Sequence, residues 1–257
     1  MVRYFFIAMI FLSACNEQVI RETIVVDGKL YTNERISDIH LSVVRSEGDV
    51  FLGQFPLSGA EVSLLSEAGE LIPLEESPSI QGKYLDPVLQ RVVLSGETYT
   101  LQVRWEGKEA KAMATIPPEL ELLQVSTTTI PINPDSPNEP IFTVIWDDDD
   151  DLSHVLSLNV TEDSPSEIPF DVPSGNFDAN YRFPLTGQGA TLLNTDFEFY
   201  GEHNLTIYGL DQEYEALFFY QPGEAGVIID DGPENIVGGA GYFVGLTRVK
   251  VALDLIE

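Results

Sequence analysis

Apolar and polar residues alternate along most of this chain, and the alternation predicts strands. Ile39, Leu41 and Val43 alternate with His40, Ser42 and Val44. Ala60, Val62 and Leu64 alternate with Glu61 and Ser63 and run into the turn Glu67-Ala68-Gly69-Glu70. Tyr99, Leu101, Val103 and Trp105 form one face opposite Thr98, Thr100, Gln102 and Arg104. After the turn Glu106-Gly107, Ala110, Ala112, Ala114 and Ile116 repeat the pattern. Successive strand side chains point to opposite faces, so each run reads as a half-buried strand. Short strands separated by turns predict a β-sandwich. Tyr99 follows the Gly96 turn, where sandwich folds place a tyrosine corner; a plain core aromatic is the other reading.

Pro117-Pro118 closes this first unit, because prolines cannot donate to a ladder and stiffen a crossing. A second unit begins near Leu120 and passes Pro131, Pro134, Pro137 and Pro140. Phe142, Val144 and Trp146 then alternate with Ile141, Thr143 and Ile145, and Leu156, Leu158 and Val160 resume after five aspartates. Strand, polar loop, strand, with Trp ending the first, predicts a fibronectin-type hairpin. Further strands are predicted at 181–185, 195–200, 205–210 and 249–255. Asp211 to Gln221 reads as a short helix capped by Asp211, with a strand as the alternative. The chain is thus expected to be all-β, with two β-sandwich domains over residues 19–118 and 119–257. The second is expected to be fibronectin-III-like with a short helix; Gly59-Ala60-Glu61-Val62 and the Gly-x-x-Tyr pattern resemble those of transthyretin/carboxypeptidase-regulatory-like sandwiches, which implies that fold for the first.

The first eighteen residues break the pattern. Arg3 precedes the apolar run Tyr4 to Leu12, and Ser13-Ala14 leads into Cys15, the protein's one cysteine. That order predicts a signal peptide over 1–14, cleavage before Cys15, and a diacylglycerol on its sulfur. Residues 15–18 then form a lipidated tether, stable because a lipoprotein carries two or three acyl chains. With Cys15 acylated no thiol remains, which excludes disulfides, zinc–thiolate sites and cysteine nucleophiles. Acidic residues outnumber basic ones 42 to 13, for a net charge of −29. Such a charge repels nucleic acid and suits solubility or a cationic ligand.

Asp147 to Asp151 need full solvation or a cation. An EF-hand starting at Asp147 requires Gly at 152 and Glu at 158, and both positions are Leu. Two readings stay open: a Ca²⁺ site built by Asp147, Asp149 and Asp151, or a solvated hairpin tip. His40, His154 and His203 fall on separate elements and are expected at the surface. The stretch from Gly238 to Gly245 misses the dinucleotide spacing by one residue and predicts a bent strand, with Tyr242 and Phe243 placed for packing or for a partner. No hydrolase or phosphate-cradling motif is present, so no catalytic residue is named.

Several stretches together resemble a family of Bacteroidota outer-membrane lipoproteins of unknown function, the DUF4249 type. They are the Cys15 lipobox, Val25-Val26-Asp27-Gly28 with Thr32-Asn33-Glu34, Pro56 to Val62, and Gly82-Lys83-Tyr84. Gly96 to Val103 and the ending Asn235-Ile236 with Gly238 to Phe243 complete the set. The resemblance implies a non-enzymatic accessory of a TonB-dependent receptor, held on the outer membrane by its lipid and expected at the cell surface. A stand-alone glycan- or calcium-binding surface protein is the other reading.

Overall fold

The computed structural model of the protein describes residues 20–48, 50–88, 90–147, 152–170, 180–185, 187–215 and 235–257. Its first half carries β1 (Ile20–Tyr31), β2 (Asp38–Glu47), β3 (Val50–Pro56), β4 (Glu61–Ser66), β5 (Leu71–Glu76), β6 (Lys83–Leu85), β7 (Thr98–Trp105) and β8 (Lys108–Thr115). The second half carries β9 (Glu121–Val125), β10 (Thr129–Pro131), β11 (Pro140–Asp147), β12 (Ser153–Val160), β13 (Asn180–Leu185), β14 (Gly189–Leu193), β15 (Gly201–Leu210) and β16 (Ala240–Ile256). The protein is all-β and sandwich-like. One large sheet runs in the order β13-β12-β15-β16-β1-β2-β6-β5-β4-β7-β8, with β3 beside β2 and β10 beside β16; a small sheet runs β14-β11-β9.

The alternating residues face inward as their spacing requires. Ile24 and Val26 of β1 and Leu41 and Val43 of β2 share a core with Val62, Leu64, Leu101, Val103 and Ala112, so the large sheet folds over on itself. In the second half the small sheet's Phe142, Val144 and Trp146 pack on Leu156, Leu205, Ile207, Val251 and Leu253. Burying each such Leu, Ile, Val or Phe stabilises the fold by roughly 1.5–3 kcal/mol. The Tyr99 hydroxyl accepts the Leu94 N–H at 3.2 Å while its ring is buried, which is the geometry of a tyrosine corner.

The C-terminal strand crosses the boundary expected at 118/119. Residues 240–246 of β16 pair parallel with β1, from Val25↔Ala240 to Tyr31↔Leu246. From Thr247 onward the same strand pairs antiparallel with β15. Ile236 and Phe243 therefore belong to the first core, although they follow the whole second unit in sequence.

Several expectations about local structure need correction. Residues 195–200 do not form a strand; Asn194–Asp196 make a 3₁₀ turn, because the Asp196 carboxylate accepts the Leu193 N–H at 2.7 Å. The buried Asn194 fixes that turn by accepting Asn133 N–H and donating to Ser136 O. A 3₁₀ turn at Gln212–Tyr214 stands where the helix is expected; residues 216–221 lie outside the described ones. His154 and His203 are buried, beside Trp146 (ring centroids 5.2 Å) and Phe197 (5.9 Å) respectively. Burial pushes the His203 imidazole below its ordinary pKa.

Candidate functional site

Two of the quoted motifs meet in one latch. The buried Tyr84 hydroxyl donates to Leu57 O and accepts the Ala60 N–H, both at 3.0 Å, which closes the 57–60 turn. The Glu76 carboxylate accepts from Ser58 Oγ (2.7 Å), Gly59 N (3.1 Å) and Gly82 N (2.9 Å). Gly82 is required there: at φ +76° its added Cβ would lie 2.6 Å from Leu41 O. The Gly82 N–H, then Ser58 and Gly59, hold the Glu76 carboxyl below the usual carboxylate range. Its stabilisation is therefore full above the ordinary value of about 4.5 and is lost as pH falls through the lower folded value. Acid titration of thermal stability should show this loss in the wild type and less of it in Glu76→Gln. Parallel curves would remove Glu76 from the account.

A second node sits where the units join. The Thr32 N–H donates to Leu246 O at 2.8 Å and the Thr32 hydroxyl to Pro117 O at 2.8 Å. Across the proline pair, the Leu120 N–H donates to the buried Thr247 hydroxyl at 2.9 Å. Asn33, in the left-handed region at φ 58°, donates from its amide to Glu119 at 2.7 Å. The Arg248 guanidinium grips both Glu34 oxygens and stacks 3.8 Å above the Tyr31 ring. Arg248 thereby holds the Glu34 carboxyl below the usual range. Thr32-Asn33-Glu34 is thus the clasp that fastens the Pro117-Pro118 crossing to β16.

The C-terminal glycines serve close packing of backbones. A Cβ on Gly241, at φ +93°, would lie 2.1 Å from Val26 O; one on Gly245 would lie 2.2 Å from Thr115 O, and one on Gly238 2.3 Å from Glu109 O. Asn235 completes the ending. Its Oδ1 accepts the Phe243 N–H at 2.9 Å and its Nδ2 donates to Phe243 O at 2.6 Å.

This geometry corrects the partner-contact reading of Tyr242 and Phe243. Phe243 is fully enclosed in the first core, where its ring fills the space left by Gly28. Tyr242 is 7% exposed, clustered with Tyr31, Val244 and Leu246, and burial pushes its hydroxyl up to about 12. Asp147 ends β11 and is exposed; Asp149, Asp151 and Cys15 lie outside the described residues. Among the described residues, no group of three or more His, Cys, Asp or Glu side chains is placed to hold a metal ion.

Clefts open to solvent among the described residues include the following two. The larger, about 470 Å³, lies over the paired ends of β15 and β16 beside β10 and is lined by Thr129, Thr161, Glu202, Asn204 and Asp254 among others. Its hydroxyls, amide and carboxylates are able to hydrogen-bond a polar ligand. The smaller, about 300 Å³, lies where β2 meets β3 and is lined by residues including Asp27, His40, Gln54 and Phe55. The signal for these positions in sequence is faint, since isolated Thr, Asn and Glu residues at strand ends look like any solvated surface.

No curated protein matches the chain. A family model described as a domain of unknown function does match, from Cys15 to Tyr214, which covers most of the chain but stops before Asn235 and the glycine-rich ending. The latch, the tyrosine corner and the Thr32-Asn33-Glu34 side of the clasp fall inside the matched segment, and the chain belongs to this family, DUF4249.

Proposed function

We propose that the protein is a non-enzymatic, lipid-anchored outer-membrane protein that serves as an interaction or ligand-capture accessory to a TonB-dependent transporter. The observation that carries this reading is the order Leu12-Ser13-Ala14-Cys15 behind a short apolar run, with Cys15 the only cysteine. Membership of a family whose match begins at that cysteine supports it. Five positions later β1 begins, so the anchor leads directly into the sheet that threads both units. The polar cleft around Glu202 and Asn204 is the capture surface in this reading. Cells fed labelled fatty acid should incorporate it into the wild-type protein and not into Cys15→Ser. Isolation from native membranes under mild detergent should bring an outer-membrane receptor along. A preparation with neither label nor receptor overturns the proposal.

A further inference from the structure

The end of the first unit at which β1 begins gathers exposed apolar side chains from neighbouring strands. Ile20, Glu47 and Val50 stand side by side across β1, β2 and β3. Ile20 is 55% exposed, Val50 62%, Phe51 41% and Leu52 44%. Among the described residues β3 has β2 as its one strand partner, and it carries no charged side chain. Natural edge strands are ordinarily blunted by charge, and a contiguous exposed apolar patch marks a docking surface. Trp105 joins the same end. Its ring lies 4.9 Å from Lys108 Nζ, and Lys108 pairs with Glu22 at 2.7 Å, two residues from Ile20.

Charge distinguishes this end too. In a chain with 42 acidic and 13 basic residues, Arg21, Arg45, Arg104 and Lys108 gather here. Four carboxylates among the described residues face these four cations: Glu22 pairs with Arg45 and Lys108, Glu109 pairs with Arg104, and Glu47 and Glu106 stand beside them on β2 and the β7–β8 turn. The tip is thus close to charge balance while the body of the protein is strongly anionic. That balance removes the repulsion that would keep the body away from a lipid headgroup layer.

We infer that Ile20, Val50, Phe51, Leu52 and Trp105 seat this end of the protein on the phospholipid bilayer. This rests on acylation of Cys15. Five residue steps separate Cys15 from Ile20, a reach of about 18 Å at full extension, so the lipid holds this end against the membrane. The apolar side chains enter the headgroup–acyl boundary and Trp105 lies at its level, as interfacial aromatics do. The open β3 backbone stays in the hydrated headgroup layer, because an unpaired edge cannot enter hydrocarbon.

The test uses the acylated full chain in phosphatidylcholine vesicles. Acylation occupies the one native thiol, so Phe51→Cys offers a single site for a nitroxide label. The comparison site is Val92→Cys, 45% exposed and bridged to Arg35 beyond the far end of β1. On vesicles the label at 51 should collide several-fold less with a water-soluble nickel chelate than the label at 92. Brominated acyl chains should quench native Trp105 without any substitution. Protein that does not float with vesicles overturns the anchor and the seating together. Protein that floats with both labels equally open to nickel overturns the seating alone. A label that is aqueous on vesicles and immobilised only on whole cells gives the edge to a protein strand, and also overturns it.

Discussion

Gly241→Ala should leave no stable folded protein. Position 241 pairs with Val26 at φ +93°, and a Cβ there would sit 2.1 Å from the Val26 oxygen and 3.0 Å from its carbonyl carbon. The obstacle is backbone, so no rotamer change relieves it. Either the left-handed strain persists or β16 lifts from β1, withdrawing Phe243 from the core. We expect a loss of more than about 4 kcal/mol, the exceptional class for one substitution and a large share of a domain's whole margin. Gly107→Ala is the control: φ is +79° but nothing lies within 4 Å of the added carbon. It should cost only the backbone preference, about 1–2 kcal/mol. Urea unfolding of both variants decides the matter, and equal midpoints would sink the close-approach account.

The second large effect belongs to Asn235→Ala. The Asn235 side chain acts as a one-residue strand, taking both the N–H and the C=O of Phe243. Its amide nitrogen also lies 3.1 Å from the Tyr214 hydroxyl and 3.2 Å from Met113 O. Truncation leaves two backbone groups of a fully buried residue without these partners, at about 1–3 kcal/mol each. We expect a lowered melting temperature and faster hydrogen exchange at the Phe243 amide, with Asn235→Asp intermediate because it keeps the acceptor. Wild-type exchange at Phe243 in the alanine variant would show that the clamp does not hold this strand.

Period-two alternation made β2, β4, β7, β8 and β11 legible in the sequence, because one face of each is buried and the other is more open to solvent. It fails where both faces are covered. β16 begins nine residues before 249 because its first half runs between β1 and β8, so glycine and apolar residues succeed one another without alternating. His154 and His203 look like surface residues by composition, yet each lies inside against an aromatic ring. For Tyr242 and Phe243 the spacing left packing and a partner both open, and the glycines beside them are what allow the backbone to sink them. The latch was half visible. Gly82 and Tyr84 belong to a recognisable motif, but Glu76, which joins them to Ser58, is one of 42 acidic residues and carries no mark in sequence. The apolar tip at Val50-Phe51-Leu52 was visible as letters only; its proximity to the tether depends on strand register.

The long β16 also sets a schedule for folding. Val25 is paired with Ala240, 215 positions downstream, so β1 lacks its parallel neighbour until the last segment of the chain is available. Closing so long a loop is entropically costly, and folding dominated by such distant pairings is slow. Until then the first core lacks Ile236 and Phe243, which it takes from the far end of that pairing. Docking of residues 240–246 onto β1 is therefore expected among the late steps of folding, after the pairings between near neighbours have formed.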